Sequence, residues 1–299
     1  MGPMAPIRLG TRGSTLALAQ ARLIADSLDD AEIVPIETAK DGGEPGGDKA
    51  RFVRGIEEAL LAGEVDLGVH SAKDLPSELP DGLELVGVSA REDAADAYVG
   101  PAASLADMPD DARIGTSSLR RRAQLLALRS DVEIVDLRGK VDTRLGRLAD
   151  GDFDGIVLAA AGLHRLGREG EIAFHFSVKE MTPSAGQGAL ALEARSGDSD
   201  AAAAAASLTN RGALIELTAE RGAIAELDAS CNTPVGIRAR LDGDDLQVDG
   251  FAGLPDGSEW VRDLVSGDAA QPGALGQVLA ERMLAAGARD ILEQAESLT

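Results

Sequence analysis

Several short stretches concentrate the residues able to do chemistry. "HSAKDLP", His70 to Pro76, ends an apolar run with a histidine, a hydroxyl, an amine and a carboxylate. Asp74 is the candidate catalytic carboxylate, beside Lys73 and before a turn set by Pro76; a salt-bridged turn residue is the plainer account of it. "GTSSLRRR", Gly115 to Arg122, places hydroxyls and backbone N–H groups at a helix start and follows them with three arginines. Such a helix end attracts anions, and guanidinium forks match carboxylates and phosphates. The lysine and glycine spacing of a nucleotide P-loop is missing, so carboxylates suit the device as well as phosphates do. "LRGKVDTR", Leu137 to Arg144, repeats it: a strand end, a glycine, then arginines on the next helix. "DASCNTPVG", Asp228 to Gly236, holds the single cysteine, Cys231. A lone thiol forms no intramolecular disulfide; taken by itself it is either a small hydrophobe or a group kept for its reactivity. His70, His164 and His175 have no metal-ligand spacing, and no metal is expected from them. There is no nucleophile elbow and no dinucleotide fingerprint.

The elements that must position these residues alternate. Strand signals over 7–11, 32–39, 65–71 and 83–90 enclose helices that start after Ser14 and near Phe52, with a mobile glycine-rich loop at 41–49. The pattern restarts with strands at 112–118, 132–137 and 155–161 and helices at 119–129 and 140–150. This predicts two α/β domains with mostly parallel sheets. The polar clusters fall at carboxyl ends of strands, where open sheets bind ligands, and a cleft between the two domains is expected there. The alanine-rich segment 200–206 reads as helix or linker, and 210–227 as helix. Past Cys231, "IRARL", "LQVDGFAGL" and "EWVRDLVSG" alternate apolar and polar residues between turn sequences, an antiparallel meander. A helix from about Pro272, ended by Gly287, closes a small α+β domain.

Composition bounds the setting. The 299 residues allow two or three domains, and 44% of them are apolar although only 2% are aromatic. No apolar run reaches membrane-span or signal-peptide length, so a cytoplasmic location is expected. The formal charge is -22, with five lysines, 24 arginines and 51 acidic residues. That excess argues against a general nucleic-acid or anionic-membrane surface. It suits solubility at high salt, as in the cytoplasm of a halophile. Against this background the clustered arginines, Arg120 to Arg122 and then Arg138, Arg144 and Arg147, stand out as an anion-binding feature.

Nine motifs in one order carry a resemblance. They are "TRGSTLALAQ", "VHSAKDLP", "REDAADAYV", "GTSSLRRR", "LRGKVDTRL", "AAAGLHRLG", "GQGALALEAR", "TAERGA" and a late single cysteine. From about residue 7 to the C-terminus the chain resembles the porphobilinogen deaminases, also called hydroxymethylbilane synthases. The resemblance implies two periplasmic-binding-protein-like α/β domains around a cleft and a small C-terminal α+β domain with an antiparallel sheet. The boundaries expected are 1–90 with 188–208, 91–187, and 209–299. It implies a monomeric transferase that joins four porphobilinogen molecules head to tail, with loss of ammonia, into hydroxymethylbilane. A covalent dipyrromethane primes the chain through a thioether, for which Cys231 is the matching residue. Asp74 matches the catalytic aspartate, which stabilises positive charge at the pyrrole nitrogen as the azafulvene forms. On the cofactor side the matches are Lys73, Thr116, Ser117, Ser118, Arg120, Arg121, Arg138, Gly139 and Arg144. On the substrate side they are Arg12, Ser14, Arg138, Arg144, Arg165 and Gln187, with Lys49 of the lid loop. Ala229 and Ser230 stand where the family has two glycines. The competing reading is a cytoplasmic or exported solute-binding protein for a small anion.

Overall fold

The computed structural model describes residues 5–37, 47–230 and 233–298, and in it each α/β repeat becomes a five-stranded sheet. The chain divides into two compact units, Met1–Glu92 with Ala189–Leu214, and Asp93–Gly188 with Ile215–Thr299.

The first unit contains β1 (Ile7–Arg12), α1 (Thr15–Ala25), β2 (Ala31–Ile36), α2 (Gly47–Leu61), β3 (Leu67–Ser71) and β4 (Leu83–Val88). The chain returns to it later with β10 (Leu190–Arg195) and α6 (Ser199–Leu208). Strand order is β2-β1-β3-β10-β4. β1 runs parallel to β2 and β3, whereas β10 is antiparallel to both its neighbours. Leu9, Leu67, Val69 and Leu192 pack with Ile24 of α1 and Ala205 of α6. Each fully buried aliphatic side chain of this kind contributes about 1.5–3 kcal/mol.

The second unit contains β5 (Asp96–Val99), β6 (Arg113–Gly115), α3 (Leu119–Leu128), β7 (Glu133–Val135), α4 (Val141–Ala149), β8 (Gly155–Ala159), α5 (Ala160–Arg165) and β9 (Phe174–His175). Its order, β7-β6-β8-β5-β9, repeats the first. β6 is parallel to β7 and β8, and β5 is antiparallel to β8 and β9. Tyr98, Ile114, Leu125, Val157 and Met181 fill one side of this sheet; Leu137, Leu145, Ile156 and Leu163 fill the other.

From α7 (Arg211–Glu226) the chain enters the meander β11 (Val235–Asp242), β12 (Asp245–Gly253) and β13 (Trp260–Asp268). This sheet packs its Ile237, Val248 and Val265 against Ala223 of α7 and against Leu279 and Met283 of α8 (Pro272–Ala285).

The expected α/β and α+β classes are present, but the sheets expected to be mostly parallel are mixed, two pairings parallel and two antiparallel in each, and there are differences in detail. The glycine-rich stretch expected as a loop lies outside the described residues up to 46, and residues 47–49 begin α2. The alanine-rich segment is α6, capped by Asp198, whose carboxylate accepts from the Ala201 N–H. The closing helix is two: the chain turns at Gly287, with φ 101°, and continues as α9 (Ala288–Ser297). Strands β5, β9 and β10 did not emerge from periodicity. "DAYV" and "FH" are too short to show a period. "LALEAR" is made of good helix formers, yet all but its last residue are buried, as in a central strand.

Candidate active site

In the first unit, parallel pairing of β1 and β3 brings their carboxyl ends to the same end of the sheet. At the end of β1, Ser14 caps α1 by accepting the Ala17 N–H at 3.2 Å. At the end of β3 the chain tightens into one 3-10 turn, Ala72–Asp74. Two ties hold that turn. Ala72 N–H donates to the Ala189 carbonyl at 3.0 Å, and Gln20 of α1 donates to the Ser71 hydroxyl at 2.9 Å. Asp74 thereby lines a cavity of about 80 Å³ together with Arg12, Ser14, Gln20, His70 and Ser71. Lys73 is half-buried beside it.

Behind this cavity lies a group that the motifs do not show. Nε2 of His70 stands 2.9 Å from Oε2 of Glu193 on β10, both side chains almost wholly buried, without the alignment of a hydrogen bond. Glu57 of α2 adds a second buried carboxyl. Burial raises its pKa above the ordinary range; the charge of Glu193 adds to the rise, and His70 opposes it. Gly68 makes room for the imidazole, because a Cβ there would lie 2.8 Å from His70 Nε2. The available signal was a lone glutamate inside an apolar strand sequence.

In the second unit, β6 runs into α3 through Thr116-Ser117-Ser118. The Thr116 hydroxyl accepts the Ser118 N–H at 3.2 Å, and Ser118 caps α3 by accepting the Arg121 N–H at 3.4 Å. Ser117 is exposed at the helix start. Arg120 and Arg121 turn inward. Both are about 5% exposed and close on Asp96 of β5, which is fully buried. Arg120 Nη1 reaches Asp96 Oδ2 at 2.6 Å, and Arg121 Nε donates to Oδ1 at 2.9 Å. Gln187 donates to Asp96 Oδ1 at 3.0 Å and to the Ala94 carbonyl at 2.8 Å. Burial alone would raise the Asp96 pKa, but the charges of Arg120 and Arg121 and the hydrogen bonds from Arg120 and Gln187 outweigh it and hold the carboxyl far below the ordinary range. The sequence reading singled out Arg120, Arg121 and Gln187; their common partner Asp96 escaped it.

The second arginine cluster is more open. Arg138 is exposed and paired with Asp136 at 2.9 Å. Gly139, at φ 115°, turns the chain into α4 in a conformation other residues rarely adopt. Arg144 donates back to the Gly139 carbonyl at 2.8 Å. Burial lowers its guanidinium pKa and the nearby Arg121 lowers it further, with Asp136 opposing. A carboxylate arriving there would relieve both effects. Arg165, at the end of α5, donates to the Gly188 carbonyl at 2.6 Å.

Two expected residues cannot be placed in this way. Lys49 falls in the first turn of α2, and its side chain lies outside the described residues, as does Cys231. The flanks of Cys231 are described. Ser230 N–H donates to Thr233 Oγ1 at 2.6 Å, and that hydroxyl donates to the Ser230 carbonyl at 3.0 Å. Among the described residues of this stretch, Asp228 is left-handed, φ 50°, and neither Ala229 nor Ser230 has a positive φ. The backbone here therefore does not call on glycine at the two positions where the family has it.

Comparison with known proteins agrees with these features. A family model described as "Porphobilinogen deaminase, dipyromethane cofactor binding domain" matches residues 7–203, and one described as "Porphobilinogen deaminase, C-terminal domain" matches 214–285. A porphobilinogen deaminase of Roseiflexus castenholzii is 45% identical over 298 residues, covering 96% of this chain and 98% of the relative. One of Thermus thermophilus is 44% identical over 299 residues, covering 97% and 99%. Among solved structures, a periplasmic sulfonate-binding protein of Methylobacillus flagellatus aligns with TM-score 0.39 and 18% identity, covering 64% of this chain and 62% of that one. With both family models and near full-length relatives in agreement, the chain belongs to the porphobilinogen deaminase family.

Proposed function

We propose that the chain joins four porphobilinogen molecules into hydroxymethylbilane, with Asp74 as its catalytic carboxylate. The observation that carries this reading is the Asp74 side chain held on a braced turn, in a cavity beside Arg12 and Ser14. As ammonia leaves the aminomethyl group, positive charge spreads onto the pyrrole nitrogen. A carboxylate beside that N–H stabilises the charge and takes up or returns protons. Arg12, Ser14, Arg138, Arg144, Arg165 and Gln187 are the proposed substrate-side groups, with Lys49; Gln187, buried against Asp96, would act by holding that carboxylate.

The donor set in the second unit fits a dipyrromethane, whose rings carry several carboxylates. Ser117 is exposed at the N-terminus of α3, which Ser118 caps, Arg138 is exposed, and the Arg144 guanidinium gains from an arriving anion. Thr116 and Gly139 complete the proposed cofactor side in this unit, and Lys73, in the first unit, is the remaining family match. Arg120 and Arg121, already engaged by Asp96, would act by holding α3 and adding positive field at its start. The dipyrromethane, bound through Cys231, supplies the primer ring to which the first substrate is joined. The working division is 1–90 with 188–208, 91–187 and 209–299. We read the protein as a cytoplasmic monomer, and its charge of -22 as adaptation to high salt. Among the described residues no helix is long and apolar enough to cross a membrane. Family membership displaces the solute-binding reading.

The test is incubation with porphobilinogen, following tetrapyrrole formation and the intact mass of the purified protein. Asp74→Asn should keep its fold by circular dichroism and lose at least about 100-fold in turnover. A covalent adduct present in the parent chain and missing in Cys231→Ser supports the anchor. Normal turnover by Asp74→Asn removes that residue from the chemistry.

A further inference from the structure

Separation along the chain hides a cluster that the second unit assembles. Asp93 precedes β5, His164 lies in the last turn of α5 and His175 lies on β9. One potential ligand atom from each comes within 4.8 Å of the other two. His175 Nδ1 is 3.0 Å from Asp93 Oδ2. The two imidazole centroids are 6.2 Å apart, with planes inclined at 45°. The other Asp93 oxygen accepts the Ala95 N–H at 2.8 Å, which aims the carboxylate. The backbones beneath are joined directly. Ala160 N–H at the start of α5 donates to the Ala95 carbonyl at 3.1 Å, and Phe176 N–H donates to the Asp96 carbonyl at 2.9 Å. His175 itself stands opposite Ala97 of β5. The Asp93 and His175 side chains are 31% and 41% exposed, which leaves an entry path.

We propose that Asp93, His164 and His175 bind one divalent transition-metal ion of the zinc type, with a fourth position open to water. Two imidazoles and one carboxylate suit Zn²⁺, Co²⁺ or Ni²⁺, whereas Mg²⁺ and Ca²⁺ prefer all-oxygen sets. Bonds of about 2.0–2.2 Å place tetrahedral ligand atoms roughly 3.3–3.6 Å apart. The cluster therefore has to contract by about 1 Å at its widest, within reach of rotation about the partly exposed side chains. The ion ties the approach to β5, the end of α5 and β9 into one unit. His164 directly precedes Arg165, so the ion also steadies the helix end that carries a proposed substrate-binding arginine. Metal binding by these three residues can be tested without that reaction, and its outcome does not depend on that reading.

The test uses the full chain, stripped with a chelator and titrated with Zn²⁺ by calorimetry and with Co²⁺ by visible absorption. One ion per chain is expected, with a dissociation constant of order micromolar or tighter and a melting temperature that rises with Zn²⁺. His164→Gln and His175→Gln should each weaken binding at least about tenfold, the lower end of what even an outer-sphere partner costs. Cys231→Ser should bind as the parent does, which separates the site from the thiol. Should a histidine variant fail to fold, Asp93→Asn replaces it in the same titration. No saturable binding below about 1 mM, undiminished binding in the histidine variants, or loss of binding in Cys231→Ser overturns the proposal.

Discussion

Asp96 on β5 and Glu193 on β10 occupy the fourth, antiparallel strand of their respective sheets, and both are fully buried. Their surroundings differ in kind. Asp96 meets two guanidinium groups and the Gln187 amide, so its charge is matched and its oxygens are satisfied. Glu193 meets an imidazole out of alignment and the nearby carboxyl of Glu57, and neither of its oxygens has an aligned hydrogen bond. Burying a charge is tolerable when partners replace the lost water and costly when they do not. The first carboxylate thus acts as a pin, joining α3, β5 and the 182–188 segment. For the second we expect electrostatic strain, set behind the cavity that Asp74 lines, because it shares its buried surroundings with the Glu57 carboxyl.

The comparison breaks most visibly at Asp96. Asp96→Asn leaves Arg120 and Arg121 buried together without a counter-charge, and Arg121 already feels the repulsion of Arg120. Removing one partner of such a buried set costs about 3–5 kcal/mol. Thermal and denaturant unfolding should show this loss, and a change below about 1 kcal/mol would mean that the network carries little stability.

pH separates Asp96 from Glu57, the buried neighbour of Glu193, by sign. The folded Asp96 pKa is lowered, so its contribution is complete above the ordinary aspartate value of about 3.9 and is lost as pH falls below it. The folded Glu57 pKa is raised, so the stability it contributes is complete below the ordinary glutamate value of about 4.3 and is lost as pH rises through the higher folded value. Denaturant midpoints measured from pH 3 to 9 should therefore fall at both ends. Asp96→Asn flattens the acid limb, and Glu57→Gln flattens part of the other.

What the sequence revealed follows the same division. The exposed devices are local: a capping serine before a helix, three arginines after "GTSS", a glycine before "KVDTR". Each shows itself within eight residues, and the fold places them as local rules require. The buried partners are not local. Asp96 lies 24 and 25 residues from its arginines and 91 from Gln187, and Glu193 lies more than a hundred from His70. Their strands, β5 and β10, are also ones that hydrophobic patterning missed: β5 has four residues and spends the first on Asp96, and in β10 Glu193 breaks a short run of good helix formers. Residues that contribute charge inside the core therefore weakened the very signal by which their elements could have been recognised. Lys49 and Cys231 rest on the family motifs alone, since their side chains lie outside the described residues.

The smallest expected effect is the most discriminating. If Glu193 and Glu57 form a strained pair, removing either charge should cost little and relieve its neighbour. Glu57→Gln should gain of order 1 kcal/mol at pH 8, the scale of an ill-satisfied buried group, and the gain should shrink toward pH 3, below both the ordinary value of about 4.3 and the raised folded value, where the Glu57 carboxyl of the parent chain is protonated folded and unfolded. Glu193→Gln removes the charge that helps to raise Glu57, so the Glu57 carboxyl should titrate closer to its ordinary range, followed by NMR of the labelled side chain. Turnover offers an independent reading, because His70 lines the cavity and contacts Glu193 while Asp74 lines the same cavity. A strain reservoir that only stores energy leaves the pH profile of turnover unchanged in Glu57→Gln. One that sets the field in the cavity lined by His70 and Asp74 changes that profile. A stability loss of about 3 kcal/mol or more in Glu57→Gln at pH 8, of the size expected when a matched buried partner is removed, would place Glu57 with Asp96 among the pins and dissolve the contrast between the two sheets.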